Sequence, residues 1–192
     1  MADSDSGIQP QEKPKNGFAA GCYDWAEAFI TALIGVMILL IFIFRLNIMV
    51  QGDSMLPNYV NGYRVFVSCA DRNFQRGNVV VIDADGTQLK TRIIKRVIAT
   101  EGQKVDINFA KGVVSVDGKE LDESAYIRNG ITKVQGSAAF PVTVPKGCVF
   151  VLGDNRPVSE DSRYTAVGMI DTRYIIGKAS FIISPFHGFQ SK

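Results

Sequence analysis

The residues of this 192-residue chain whose types and placement could do chemistry are a hydroxyl at Ser54, an amine at Lys95 and a polar loop over residues 153–164. A serine hydroxyl is a poor nucleophile until a base takes its proton. The single histidine, His187, sits in a Pro-Phe-His-Gly-Phe tail, where a solvated surface residue is the plainer reading. The remaining base is a lysine kept neutral by burial in apolar surroundings. In Arg92-Ile-Ile-Lys-Arg-Val-Ile98, strand alternation places Lys95 with Ile93 and Val97 and turns Arg92 and Arg96 the other way. The same spacing also describes a half-exposed strand with no buried charge. The loop Gly153-Asp-Asn-Arg-Pro-Val-Ser-Glu-Asp-Ser-Arg-Tyr164 follows the apolar run Val149-Phe-Val-Leu152. It suits either an ordinary surface turn or hydrogen-bonded support around a catalytic group.

The elements that must position these groups divide the chain in two at Val50-Gln-Gly-Asp-Ser-Met-Leu-Pro57. Ahead of it, residues 1–24 are mostly polar and small and are expected to form a disordered tail. Residues 25–49 read as a transmembrane helix: 28–44 hold no charge, and the apolar run resumes after a single Arg45. Tyr23 and Trp25 suit an interfacial belt, and Arg45 can snorkel to the headgroups. The apolar run is long for a cleaved leader, and no small-x-small site follows it closely, which favours a retained anchor. Lys13 and Lys15 ahead of the span point to a cytoplasmic N-terminus and an exported remainder.

Residues 50–192 change to short runs rich in Val, Ile, Phe and Tyr broken by Gly, Asp, Asn and Pro. Strands are expected at 63–68, 79–82, 88–98, 104–107, 113–116, 142–144, 148–152 and 174–183. Asp117-Gly118 between two of them marks a two-residue hairpin turn. Residues 121–145 read as a loop-rich insertion on a mainly β fold. A net charge of +2 with no block of like charges gives no support to nucleic-acid binding. Cys22, Cys69 and Cys148 are too few and scattered for a zinc site or a disulfide scaffold, and one bridge between Cys69 and Cys148 stays open.

Gly-Asp-Ser-Met-Leu-Pro at 52–57, Lys95-Arg-Val-Ile98, Gly153-Asp-Asn155 and Ser159-x-Asp-Ser-Arg163, in this order behind a membrane span, resemble the bacterial type I signal peptidases. The resemblance runs from the span nearly to the C-terminus. It implies an antiparallel β-sheet catalytic core with a smaller, variable β region, behind one N-terminal transmembrane helix. The implied activity is a membrane-bound serine endopeptidase that removes signal peptides from exported preproteins after small-x-small sites, on the outer face of the cytoplasmic membrane. Ser54 then matches the nucleophile and Lys95 the general base, with no metal or cofactor. Ser159 matches a serine bonded to the lysine amine, Asp161 and Arg163 structural charges beneath the site, and Asp154 and Asn155 the loop that shapes it. Met55 and Gly52 match the substrate-binding side.

Gly52 stands where many members carry a second oxyanion-binding serine, which leaves the Ser54 N–H as the clearer donor. Ala99-Thr-Glu-Gly-Gln103 replaces the usual Gly-x-Pro-Gly-Asp, and Gly77-Asn78 replaces Gly-Asp. Two rivals are weighed against this reading. A self-cleaving repressor would carry a DNA-binding helical domain in place of the span. A non-enzymatic membrane-tethered β module would need neither Ser54 nor Lys95.

Overall fold

The computed structural model describes residues 17–45, 47–127 and 131–183. His187 and the first sixteen residues of the expected tail lie outside them. Two units emerge, residues 1–44 and 45–192. Among the described residues the first holds a single helix, α1 (Gly17–Arg45). It starts ahead of the expected Trp25, because residues 17–24 include Ala19 and Ala20 and no proline, and alanine is the strongest helix former. Within it, residues 21–40 have a mean hydropathy of 1.6 and bury none of their side chains. Twenty helical residues rise about 30 Å, the thickness of a bilayer core. The helix is therefore long and apolar enough to cross a membrane.

The second unit is built on antiparallel strands: β1 (Asn47–Met49), β2 (Arg64–Ser68), β3 (Val79–Ile82), β4 (Ile93–Thr100), β5 (Lys104–Asn108), β6 (Val113–Val116), β7 (Lys119–Glu120), β8 (Val142–Thr143), β9 (Cys148–Leu152), β10 (Ile170–Asp171) and β11 (Ile175–Ile183). Seven of them form one sheet in the order β1-β2-β11-β3-β4-β9-β10, and the other four a smaller sheet in the order β7-β6-β5-β8. A mainly antiparallel β fold with a minor second β region is thus the observed class.

Three departures from expectation have physical reasons. Asn47–Met49, assigned above to the end of the span, leave the helix and pair with β2 from Asn47↔Phe66 to Met49↔Arg64. Ile48 packs on the β core beside the buried Val50, while Met49 is exposed. The strand expected from residue 88 begins only at Ile93. Ahead of it Lys90 takes a positive φ of 54°, and the Gln88 N–H is drawn to Ala166 O at 2.9 Å, so the ladder cannot form there. The short edge strands β1 and β10 carry too few residues for a period of two to register. The hairpin turn is as read: Asp117 and Gly118 have φ of 52° and 76°, the paired positive values a type I′ turn requires.

Val80, Val97, Val151 and Ile175 belong to one buried cluster, and Val50, Met55, Val65, Val81 and Ile94 to another. Alternation along β3 and β4 assigns these clusters to opposite faces of the large sheet. A third cluster joins Val105, Ile107, Val114 and Val116 of the small sheet to Ile98, Phe150 and Leu152 of the large one. Phe140, from the expected insertion, packs edge-on against Phe150 at 6.0 Å between centroids. Cys22, Cys69 and Cys148 are all free thiols, so the bridge left open in the sequence is not formed.

Candidate active site

Lys95 sits on β4, which lies between β3 and β9 in the interior of the large sheet. It pairs with Val80, and directly opposed residues of antiparallel strands share a face. Its side chain is accordingly 3% exposed. The Nζ atom lies 2.8 Å from Ser54 Oγ and donates to Ile94 O at 3.1 Å. Burial pulls the amine's pKa down from 10.5 to about 8, against the carboxylates of Asp161, Glu160 and Asp154, which pull it up; Arg163 adds a smaller push downward. Desolvation wins because no carboxylate is bonded to the amine itself.

Ser54 stands in a turn that is held from the side by the loop after β9. Asn155 donates its N–H to Ser54 O and its Nδ2 to Asp53 O, each at 3.0 Å. Among the described residues, the Ser54 N–H has no protein acceptor, so it is free to bind an oxyanion. Gly153 lies against this turn so closely that a Cβ there would overlap Ser159 Oγ and crowd Ser54 O. A loop beginning with any other residue could not approach the nucleophile this way.

The buried charges around the site occur in opposite-sign pairs. Arg96 grips Asp154 with two bonds, 2.7 Å from Nε and 2.6 Å from Nη2, while Asn58 donates to the same carboxylate at 2.7 Å. Arg163 bonds Asp161 through Nε at 2.8 Å, and Asp161 in turn accepts the Gly153 N–H at 3.0 Å. Arg156 donates to Gly153 O at 2.9 Å and forks onto Glu123 at 2.9 and 2.6 Å, with Thr132 as a further partner. Arg96 also lies over the Tyr126 ring, 4.2 Å from its centroid. Each arginine has the planar fork that suits a carboxylate, and each carboxylate would be costly to leave unpaired at this depth.

Of the residues singled out by sequence, Ser54, Lys95, Asp154, Asn155, Ser159, Asp161 and Arg163 gather in this one region. The bond expected between Ser159 and the lysine amine is not formed: Ser159 Oγ is buried without a hydrogen-bond partner among the described residues. Met55 is wholly buried behind a groove and does not line it. Gly52, at a φ of 80°, follows the groove's last lining residue on that segment, Gln51. The groove itself has a volume of about 420 Å³, is floored by Val50, Val65, Val81 and Ile94, and is walled by Ile48 of the edge strand β1. Sequence reasoning missed Asn58, Tyr126, Glu123 and Arg156. Arg156 stood inside the quoted loop, while Glu123, 33 positions away in an apparently separate insertion, gave no local signal of its partner.

A family model described as "Signal peptidase, peptidase S26" matches residues 22–184. Signal peptidase I of Bacillus licheniformis is 33% identical over 175 residues, covering 86% of this chain and 90% of its own. Signal peptidase IB of Staphylococcus aureus (strain COL) is 36% identical over 158 residues, covering 73% of this chain and 78% of its own. Among solved structures, a signal peptidase I from Enterococcus faecalis V583 matches at 28% identity with a TM-score of 0.44, covering 55% of this chain and 96% of that one. With the family model spanning most of its length and these relatives above 30% identity, the chain belongs to the signal peptidase family, peptidase S26.

Proposed function

We propose that this chain is a membrane-anchored endopeptidase that removes N-terminal signal peptides from exported preproteins, with Ser54 as nucleophile and neutral Lys95 as general base. The observation that carries this reading is the 2.8 Å approach of a buried, pKa-depressed amine to an otherwise ordinary serine hydroxyl. In the neutral amine the Nζ lone pair takes the Ser54 proton as Oγ attacks the scissile carbonyl carbon. The tetrahedral oxygen receives the Ser54 N–H, and the lysine then passes its proton to the leaving amine. A water takes the place of the departed peptide. The same amine deprotonates it, its oxygen attacks the ester, and the acid product leaves as Ser54 regains its proton.

The precursor lies in the groove as an added strand, with the residues ahead of the cut against Val50, Val65, Val81 and Ile94. Small side chains one and three places before the cut suit this shallow apolar floor. Helix α1 anchors the enzyme in the bilayer that also holds its substrate, and the β unit works on the extracytoplasmic face. Asp154, Asn155, Asp161 and Arg163 hold the two reacting side chains in place, and neither metal nor cofactor takes part.

Cleavage of a secretory precursor by the detergent-solubilised enzyme tests this. Ser54→Ala and Lys95→Ala are each expected to abolish it. Activity surviving in Lys95→Ala removes the amine from the mechanism, and activity surviving in both makes the β unit a tethered binding module.

A further inference from the structure

Asn155 is bonded to both of the peptides that flank the nucleophile. Its backbone N–H donates to Ser54 O, in the peptide after Ser54, at 3.0 Å. Its side-chain Nδ2 donates to Asp53 O, in the peptide before Ser54, also at 3.0 Å. A second donor, the Leu56 N–H, reaches the same Asp53 oxygen at 3.2 Å, so both lone pairs of that carbonyl are engaged. The nitrogen of this peptide is Ser54 N, whose N–H has no protein acceptor among the described residues.

A peptide unit is planar and trans, so its C=O and its N–H point in opposite directions. A donor that holds Asp53 O therefore also aims the Ser54 N–H, toward the side away from the Asn155 amide. It draws electron density to the oxygen as well, which makes the N–H across the unit a stronger donor. Turning this plane about the line between the two Cα atoms needs only opposed changes of ψ at Asp53 and φ at Ser54, and leaves the Ser54 side chain almost where it is. The N–H can thus swing away from a developing oxyanion while the 2.8 Å approach of Oγ to Lys95 Nζ survives. Residue 52 offers no replacement: Gly52 has no hydroxyl, and its N–H is already spent on Asn61 Oδ1 at 3.2 Å.

Resting on the peptidase reading above, we propose that the side-chain amide of Asn155 is a positioning group for the oxyanion donor, fixing and polarising the Asp53–Ser54 peptide so that the Ser54 N–H meets the tetrahedral oxygen. Its action falls on the transition state and is separate from the Ser54–Lys95 pair. Asn155→Ala isolates this action, because it removes the Nδ2 bond and leaves the backbone bond to Ser54 O in place.

The test uses the full-length enzyme in detergent, a precursor peptide, and a peptide aldehyde that ends where the precursor is cut. Ser54 Oγ adds to the aldehyde carbon as its proton passes to Lys95, and the carbonyl oxygen becomes the tetrahedral oxygen, so the adduct reports the oxyanion contact with no leaving group involved. Asn155→Ala is expected to lower kcat about tenfold, less than the roughly 10²–10³-fold that follows outright loss of a donor, with KM within about twofold. The aldehyde's Ki should rise by the same factor as kcat falls. The half-point of the pH profile should stay near pH 8. Asn155→Asp, which keeps the size but sets an acceptor against Asp53 O, should lose at least as much. An unchanged kcat in Asn155→Ala, or a loss of kcat that the aldehyde's Ki does not share, overturns the inference. So does a shifted half-point, which would make Asn155 a support of the Ser54–Lys95 pair instead. A wild type that leaves the precursor peptide as intact as Ser54→Ala does overturns the peptidase reading, and this inference with it.

Discussion

At the scale of single residues, Lys95 serves reactivity at the expense of stability. An amine whose pKa falls from 10.5 to about 8 on folding binds fewer protons than its unfolded counterpart between those two values. Stability therefore rises with pH across that window, and below about 8 the full penalty is present, about 3 kcal/mol at 1.36 kcal/mol per unit. The same titration sets activity: an ordinary lysine would stay protonated up to about pH 10, whereas Lys95 supplies its neutral form from about pH 8 upward. Cleavage is expected to rise with pH and to reach half its plateau near pH 8, where half the amines are neutral. Lys95→Met, which keeps the volume and discards the charge, should abolish cleavage while raising unfolding stability at pH 7 by up to about 3 kcal/mol. Denaturant melts at pH 7 and pH 10 check this, because the gain should shrink at the higher pH. A variant less stable than wild type at pH 7 would mean that the lysine is a net support of the fold and is not held against a desolvation penalty.

At the scale of elements, the segment between β7 and β8 is more than a loop-rich addition. Glu123 and Tyr126 from it meet Arg156, Arg96 and Asn58 from the catalytic side. Arg156 then holds Gly153 O, one step from the Asn155 bonds that fix Ser54. The Arg156–Glu123 pair is 1% and 6% exposed, so removing either partner strands the other and should lower stability by about 3–5 kcal/mol. The double variant Glu123→Leu with Arg156→Met leaves no orphan charge, and should recover most of that loss while kcat stays about tenfold down, since Gly153 O has lost its donor. Full recovery of kcat in the double variant would make the pair a stabilising feature only. This clamp also marks where the sequence stops being readable. The orientation of Lys95 is legible because alternation along its own strand sets it, although its partner Ser54 lies 41 positions away, and the 117–118 turn is legible because two residues determine it. Glu123 and Arg156 find each other only when two sheets are folded, and the residues near each carry no pattern of period two or 3.6 that announces it. The Asn47–Met49 strand is hidden for a related reason: its apolar residues continue the hydrophobic run of the helix before it, and only pairing with β2 tells them apart.

For the molecule as a whole, the question is what the helix contributes beyond what the β unit does unaided. The fold places the boundary between them earlier than composition suggests, since β1 starts at Asn47 and Ile48 walls the groove. A chain beginning at Leu46 keeps the three-residue ladder to β2, whereas one beginning at Val50 loses it together with that wall. The chain beginning at Leu46 should fold and should cut a short soluble peptide with a kcat/KM within a few-fold of the full chain, because every group bonded to Ser54 and Lys95 is still present. Its cutting of a membrane-inserted precursor should fall by about 10²-fold, since confinement to one surface raises effective concentration without any new contact. The chain beginning at Val50 should be impaired on both substrates, as its groove is open on one side. Parallel assays on soluble peptide and on precursor in proteoliposomes separate these effects. Equal losses on both substrates for the Leu46 chain would mean that the helix supports the catalytic unit's own structure, and the anchor's role as a concentrator would then fall.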